Sequence, residues 1–186
     1  MIYYTADAHL GHENVIRFSN RPFSSVREMD DTIIENWREV VRPNDDIYVL
    51  GDLIFKSADP EAYLRRLTGR IHLIRGNHDT FLKNKALWRY FESVDDLLTI
   101  ADNNRRVVLC HYPLAEWNGY YRNAIHLFGH IHNNRNEACK IMEKLSNNYN
   151  VGVDCIGFTP LTLDQIINFY GREPVSVSVS ASNNNE

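Results

Sequence analysis

Ile71-His72-Leu73-Ile74-Arg75-Gly76-Asn77-His78-Asp79 is the stretch whose reading decides the fold. Ile71 to Ile74 is a short, mainly apolar run of strand length, and Gly76 ends it. The strand therefore hands over to Asn77, His78 and Asp79 at its carboxyl end, where open α/β sheets bind their ligands. Read alone, the tetrapeptide Gly76–Asp79 also suits an ordinary turn. Asn tolerates left-handed φ, and Asp79 can cap a short helix beginning at Thr80.

The same pattern occurs four more times. Ile2-Tyr3-Tyr4-Thr5 leads to Asp7-Ala8-His9, and Ile47-Tyr48-Val49-Leu50 leads to Gly51-Asp52. Val107-Val108-Leu109-Cys110 ends at His111, and Ile125-His126-Leu127-Phe128 ends at Gly129-His130-Ile131-His132. Carboxylate, amide and imidazole are ligand types that suit first-row transition metals. Core packing alone gives no reason for five apolar strands to end in them. In this order, the five motifs resemble those of the calcineurin-like metallophosphoesterases, in the manner of a small bacterial or phage-type member without a cap domain. The resemblance runs from Ile2 to about Tyr170.

The resemblance implies two divalent metal ions. Asp7, His9, Asp52 and His132 would hold one, and Asp52, Asn77, His111 and His130 the other, with Asp52 bridging. Manganese, iron, zinc, cobalt and nickel all suit such mixed N/O ligation. It also implies hydrolysis of a phosphate ester by a hydroxide held between the metals, with His78 as general acid. Asp79 could orient His78 or could be the helix cap. Two divalent cations set against two carboxylates and a hydroxide leave a centre of about +1, which matches the −1 of a phosphodiester.

Composition sets the outer bounds. A chain of 186 residues is one domain by default, here expected over 1–175, with a low-complexity, largely disordered tail over 176–186 whose start could add an edge strand. A formal charge of −4 offers no global basic field and no dedicated nucleic-acid-binding surface. Three cysteines without close pairs argue against a disulfide framework and fit a reducing cytosol. With no signal-like or membrane-spanning run, a cytoplasmic location away from membranes is expected. Oligomeric state is not legible.

Taken in order, Ser25 and Glu28 form a capping box that opens a helix to about Val41, with Val26, Met29, Ile33, Trp37 and Val40 on one face. A second helix runs from Pro60 to Leu67, stopped by Gly69. This β-α-β-α-β half favours parallel strands. Leu97–Ala101, the turn Asp102-Asn103-Asn104 and Arg105–Cys110 read as a hairpin. Strands follow at Ala124–Phe128 and near Tyr149–Val153, and a capped helix runs from Thr162 to Tyr170. Periodicity alone gives an α/β protein with two sheets. The resemblance implies a four-layer α/β/β/α sandwich of two mixed sheets flanked by helices.

Substrate contacts are expected from His12, three residues beyond His9, and from Arg17 and Arg21 as phosphate clamps. The aromatic loop Tyr112 to Arg122, and Trp117 in particular, either stacks a nucleobase or packs as a rigid rim. His72 and His126 lie within strands and read as structural. The chain has no room for a large cap domain, so a small phosphate ester is expected as substrate. A nucleotide or cyclic-nucleotide diester leads, ahead of a phosphomonoester or phosphoprotein. A non-catalytic protein-binding scaffold of the same fold is the alternative from another class.

Overall fold

The structure, a computed structural model, describes residues 1–175. The expectations for the tail lie outside the described residues. The chain runs β1 (Ile2–Thr5), α1 (Glu13–Phe18), α2 (Val26–Val40), β2 (Asp46–Val49), α3 (Pro60–Leu64), β3 (Arg70–Ile74) and β4 (Ser93–Asp95). The second half adds β5 (Leu97–Asp102), β6 (Arg105–Cys110), β7 (Ile125–Phe128), α4 (Glu137–Met142), β8 (Asn148–Asn150), α5 (Val153–Ile156) and α6 (Leu163–Tyr170). One sheet has the order β1-β2-β3-β4 and the other β5-β6-β7-β8.

The first sheet is parallel throughout, because each strand is joined to the next by a crossover. In the second, β5 and β6 form an antiparallel hairpin while β7 and β8 add in parallel. The expectation of two mixed sheets thus narrows to one. The hairpin turns through Asn103 and Asn104, both at positive φ, as a two-residue type I′ loop demands. β4 escaped the sequence reading, since Ser93-Val94-Asp95 carries no apolar run.

Side chains alternate along the parallel strands and build two cores. Tyr3, Ile47, Val49, Ile71 and Leu73 face α2, where Met29, Ile33 and Trp37 meet them. Tyr4, Tyr48 and Ile74 face the other way, toward Val107, Leu109, Ile125 and Leu127 of the second sheet. Tyr4 Oη donates to Asp102 Oδ2 at 2.9 Å and ties the sheets together. α6 closes the edge of this inter-sheet core with Leu163, Ile166 and Ile167. The outer face of the second sheet is covered by Trp117 packed on Val108 and Ala124, and by Met142 of α4 packed on Phe128 and Ile131.

The caps act locally. Ser25 accepts from Glu28 N, but the Glu28 carboxylate reaches Ser24 N and Oγ rather than closing the box on Ser25. Thr162 and Gln165 form the complete reciprocal box. α3 ends at Leu64, earlier than expected, because Arg66 and Leu67 bond three residues back and tighten the last turn. β8 ends at Asn150, since Gly152 already opens α5.

The core of the first sheet gives the first test. Trp37 is 1% exposed and its indole N–H donates to Thr68 O at 2.9 Å. Trp37→Ala should destabilise the metal-free protein by about 3–5 kcal/mol in urea unfolding. A loss under about 1 kcal/mol would show that α2 is not anchored there.

Candidate metal centre

The two sheets converge where their strands end. Beyond the strands, Ala6 pairs with Gly152, and Val153 N donates to Ala6 O at 2.9 Å. The chain after β1 is thereby joined to the chain after β8. At this end five of the polar residues singled out adopt left-handed backbone: Asp7 (φ 57°), His9 (51°), Asp52 (54°), His130 (70°) and His132 (50°). Each such conformation costs a non-glycine residue of order 1 kcal/mol or more, and clusters of them mark functional sites.

Asp7, His9 and His132 can each direct one ligand atom to within 4.8 Å of the others, and so can Asp7, Asp52 and His111. His9 Nε2 lies 3.5 Å, and His111 Nε2 3.6 Å, from Asp52 Oδ2. Asn77 Oδ1 is 3.1 Å from His111 Nε2, whose other nitrogen bonds Leu50 O at 2.8 Å. His130 sits beside these groups, its ring 5.0 Å from that of His111, and its backbone N–H donates to both oxygens of Asp7. Gly76 and Gly129 admit the carboxylates: a β-carbon at Gly129 would come within 2.5 Å of Asp7 Oδ2, and one at Gly76 would collide with Asp52 Oδ1.

Burial pushes the Asp7 carboxyl up to about 7, with the nearby Asp52 adding to the rise and His132 opposing it. Burial, reinforced by His132, drives His9 down to about 2, so its imidazole is neutral. Both His9 ring nitrogens are buried without a hydrogen-bond partner. A buried polar atom left this way is costly unless something satisfies it. Neutral imidazole lone pairs facing two buried carboxylates fit divalent cations of the first transition row.

Residues 5–150 match the calcineurin-like phosphoesterase superfamily domain. The chain belongs to that superfamily. An uncharacterized protein of Methanocaldococcus jannaschii is 35% identical over 169 residues, 89% of each chain. The gene 66 protein of Mycobacterium phage L5 is 29% identical over 130 residues, 60% of this chain and 62% of the phage protein. Among solved structures, a protein of unknown function from Aquifex aeolicus superposes with a TM-score of 0.72 at 28% identity, over 90% of this chain and 98% of that one. This calcineurin-like phosphoesterase is a metal-dependent hydrolase of phosphate esters. Among the described residues no helix is long and apolar enough to cross a membrane.

Three of the expected contacts of this phosphoesterase lie elsewhere. Arg21 is no phosphate clamp: it is 5% exposed, grips Asp154 at 2.7 and 3.0 Å, and donates to Asp7 O and Ala8 O. Trp117 is 6% exposed and its N–H bonds Ala124 O, so the aromatic loop is a packed rim at that residue. Asp79 neither orients His78 nor caps the turn at Thr80 with its side chain. Its carboxylate accepts from Asp52 N, Leu53 N and Gly76 N at 2.8–2.9 Å, stitching the second motif to the third.

His78 lies with its ring 5.5 Å from His9 and 5.2 Å from Phe55. His12 packs on Phe55 with ring centres 3.6 Å apart, and Arg17 is exposed at the end of α1. His72 bonds Asp46 and Ser93, while His126 bonds Val108 O and Leu114 N, as structural histidines do.

The sequence reading passed over Asp154. Its side chain is 1% exposed, and Oδ2 lies 2.6 Å from His132 Nδ1 while the carboxylate also holds Arg21. Burial opposes protonation of His132, but the bond to Asp154 and the charge of Asp7 outweigh it and raise its pKa. The available signal was Val151-Gly152-Val153-Asp154, a further apolar strand end beside a glycine and an acid. A carboxylate behind a ligating histidine fixes its tautomer and ring orientation. Asp154→Ala should therefore weaken metal binding about 10–100-fold in chelator competition, with the fold retained by circular dichroism. Unchanged affinity would make Asp154 purely a fold residue.

Metal binding requires deprotonated ligands. Since Asp7 titrates at about 7, its protonated form accumulates as the pH falls through that value, and metal uptake should weaken in the same window. Isothermal titration should show proton release on binding. An affinity that stays flat between about pH 8 and pH 6 would contradict the placement of Asp7 as a ligand.

Proposed function

We propose that this phosphoesterase hydrolyses phosphodiesters of nucleotides or cyclic nucleotides at a dinuclear metal centre. The observation that carries this reading is the pair of ligand groups sharing Asp7, with Asp52 Oδ2 lying 3.5 Å from His9 Nε2 and 3.6 Å from His111 Nε2. Asp7, His9, Asp52 and His132 would hold one cation, and Asp52, Asn77, His111 and His130 the other, with manganese, iron, zinc, cobalt and nickel all suited to them. Two such cations supply Lewis acidity toward the phosphoryl oxygens and activate water as a nucleophile at neutral pH.

The remaining work falls to the chain. His78 stands beside His9 and donates the proton that the leaving oxygen needs as its bond to phosphorus breaks. Its backbone N–H donates to Asp52 Oδ1 at 2.8 Å, which ties the acid to the ligand set. Asp79 holds that turn through its backbone bonds and is a positioning residue. His12, whose Nδ1 is buried without a hydrogen-bond partner, would meet a substrate oxygen. A diester is favoured over a monoester because Arg21, one of the two arginines expected to clamp phosphate, is committed to Asp154. A screen of diesters and monoesters with each reconstituted metal tests the reading, and faster turnover of monoesters would overturn the preference.

Two variants test the roles. Asp52→Asn should lose both metals and nearly all activity. Two metals per chain at wild-type affinity, measured by elemental analysis, would show that Asp52 does not bridge. His78→Ala should keep both metals but lose about 10²–10⁴-fold on a poor alkoxide leaving group and much less on a p-nitrophenyl ester. Equal losses on both would leave His78 a phosphate contact and not the acid.

A further inference from the structure

We infer that the leaving group is a nucleotide that carries its own second phosphate, held on a wall formed by Phe18, Phe55, His12 and Lys56. The inference rests on the diesterase reading above and names what lies on the His78 side of the site.

Phe55 is the hub of this wall. Its ring centre lies 6.1 Å from His9, 3.6 Å from His12 and 5.2 Å from His78. It therefore adjoins at once a candidate metal ligand and the group that protonates the leaving oxygen. Whatever departs from phosphorus with a proton from His78 departs along this wall. Beyond His12, with ring centres 6.4 Å apart, stands Phe18, which is 61% exposed. A large ring so exposed beside a reaction centre, with His12 at its edge and Arg17 over one face, still leaves area on which a flat ligand can stack.

The wall also carries charge. Lys56 Nζ lies 5.3 Å from the centre of the Phe55 ring, and Arg17 Cζ lies 5.3 Å from that of Phe18. Among the described residues neither cation has a carboxylate within ion-pair distance, although most of the other surface arginines near acids are paired. Lys56 is moreover held at φ 41°, in the left-handed region, immediately after Phe55. Two unpaired cations flanking aromatic faces match an anionic ligand with a flat ring system. A simple aryl or alkyl leaving group would use the rings or neither feature. A nucleoside would leave the cations idle, whereas a nucleotide with a terminal phosphate engages both.

On the His130 side Tyr112 is also exposed, at 44%, but no unpaired cation flanks its ring among the described residues. Tyr112 packs edge-on to His130 at 4.7 Å, Arg75 is ion-paired with Asp96, and Trp117 is buried.

The test compares kcat/KM on three kinds of diester: dinucleotides bearing a terminal phosphate at one end or the other, the same dinucleotide without it, and ring-free glycerophosphoglycerol. The wild type should prefer one phosphorylated dinucleotide to the plain one by about tenfold or more, the scale of one good charge pair near a surface. Lys56→Ala should abolish that ratio, Lys56→Arg should keep it, and Lys56→Glu should invert it. Phe18→Ala should lower the ratio of plain dinucleotide to glycerophosphoglycerol by about 5–100-fold, the range for one stacked base. Metal content, measured in each variant, should match the wild type. Ratios unchanged in Lys56→Ala and Phe18→Ala would overturn the wall as a leaving-group site while the diesterase reading stands. A wild type inactive on bis(p-nitrophenyl) phosphate and all three kinds of diester would instead refute that reading.

Discussion

Asp7 and Asp52 are almost wholly buried and face one another's field, and much of the surrounding structure answers that constraint. Two carboxylates in a dry interior repel each other and lose their hydration. Backbone N–H groups relieve part of this: His130 N bonds both oxygens of Asp7, and His78 N bonds Asp52. Arg21 relieves another part at one remove. It binds the carbonyls of Asp7 and Ala8 and neutralises Asp154, so no third uncompensated acid stands behind His132. What remains is a pair of buried carboxylates beside the neutral imidazole of His9, an arrangement that suits a cation.

The same constraint explains the turns. To bring side chains from the ends of parallel strands to a common point, the chain must reverse within one or two residues. Left-handed backbone does this in the least space, and here five non-glycine residues adopt it. The strain is held by cross-links of high sequence separation: Asp79 to the Asp52 turn, Asn150 to His132 O, and Arg21 to Asp154. Gly76 and Gly129 leave the room that the carboxylates occupy. The geometry of the candidate ligands is thus set by the two sheets together, since neither sheet carries all of them.

Local chemistry made much of this legible in the sequence. Apolar runs of strand length mark β1, β2, β3, β6 and β7, and the polar residue after each is what the fold gathers at one end. The caps at Ser25 and Thr162 and the Asn103-Asn104 turn act over a few residues and can be read there. The features that escaped depend on distant partners. Arg21 looked like a surface cation because its acid lies 133 positions away. Asp79 looked like a cap or a partner of His78 because the N–H groups it binds belong mostly to another strand end. Trp117 looked like a stacking residue until Val108 and Ala124 closed over it. β4 has no pattern of its own and exists because β3 offers an open edge.

On the leaving-group proposal, these placements move selectivity from one side of the site to the other. The loop after β6, rich in aromatics, spends Trp117 on covering the second sheet, and so contributes stability where its composition suggested recognition. The loops after β1 and β2 do the reverse. They deliver Asp7, His9 and Asp52 from their buried portions, and further on present the exposed Phe18 and Lys56 beside the half-buried Phe55. The backbone cross-links reach Phe55, whose N–H bonds Leu10 O at 3.0 Å. The exposed side chains of Phe18 and Lys56 can therefore change in size or charge with less effect on Asp7 and Asp52 than a change at Phe55. One rigid ligand set can accordingly serve different leaving groups through substitutions confined to that rim.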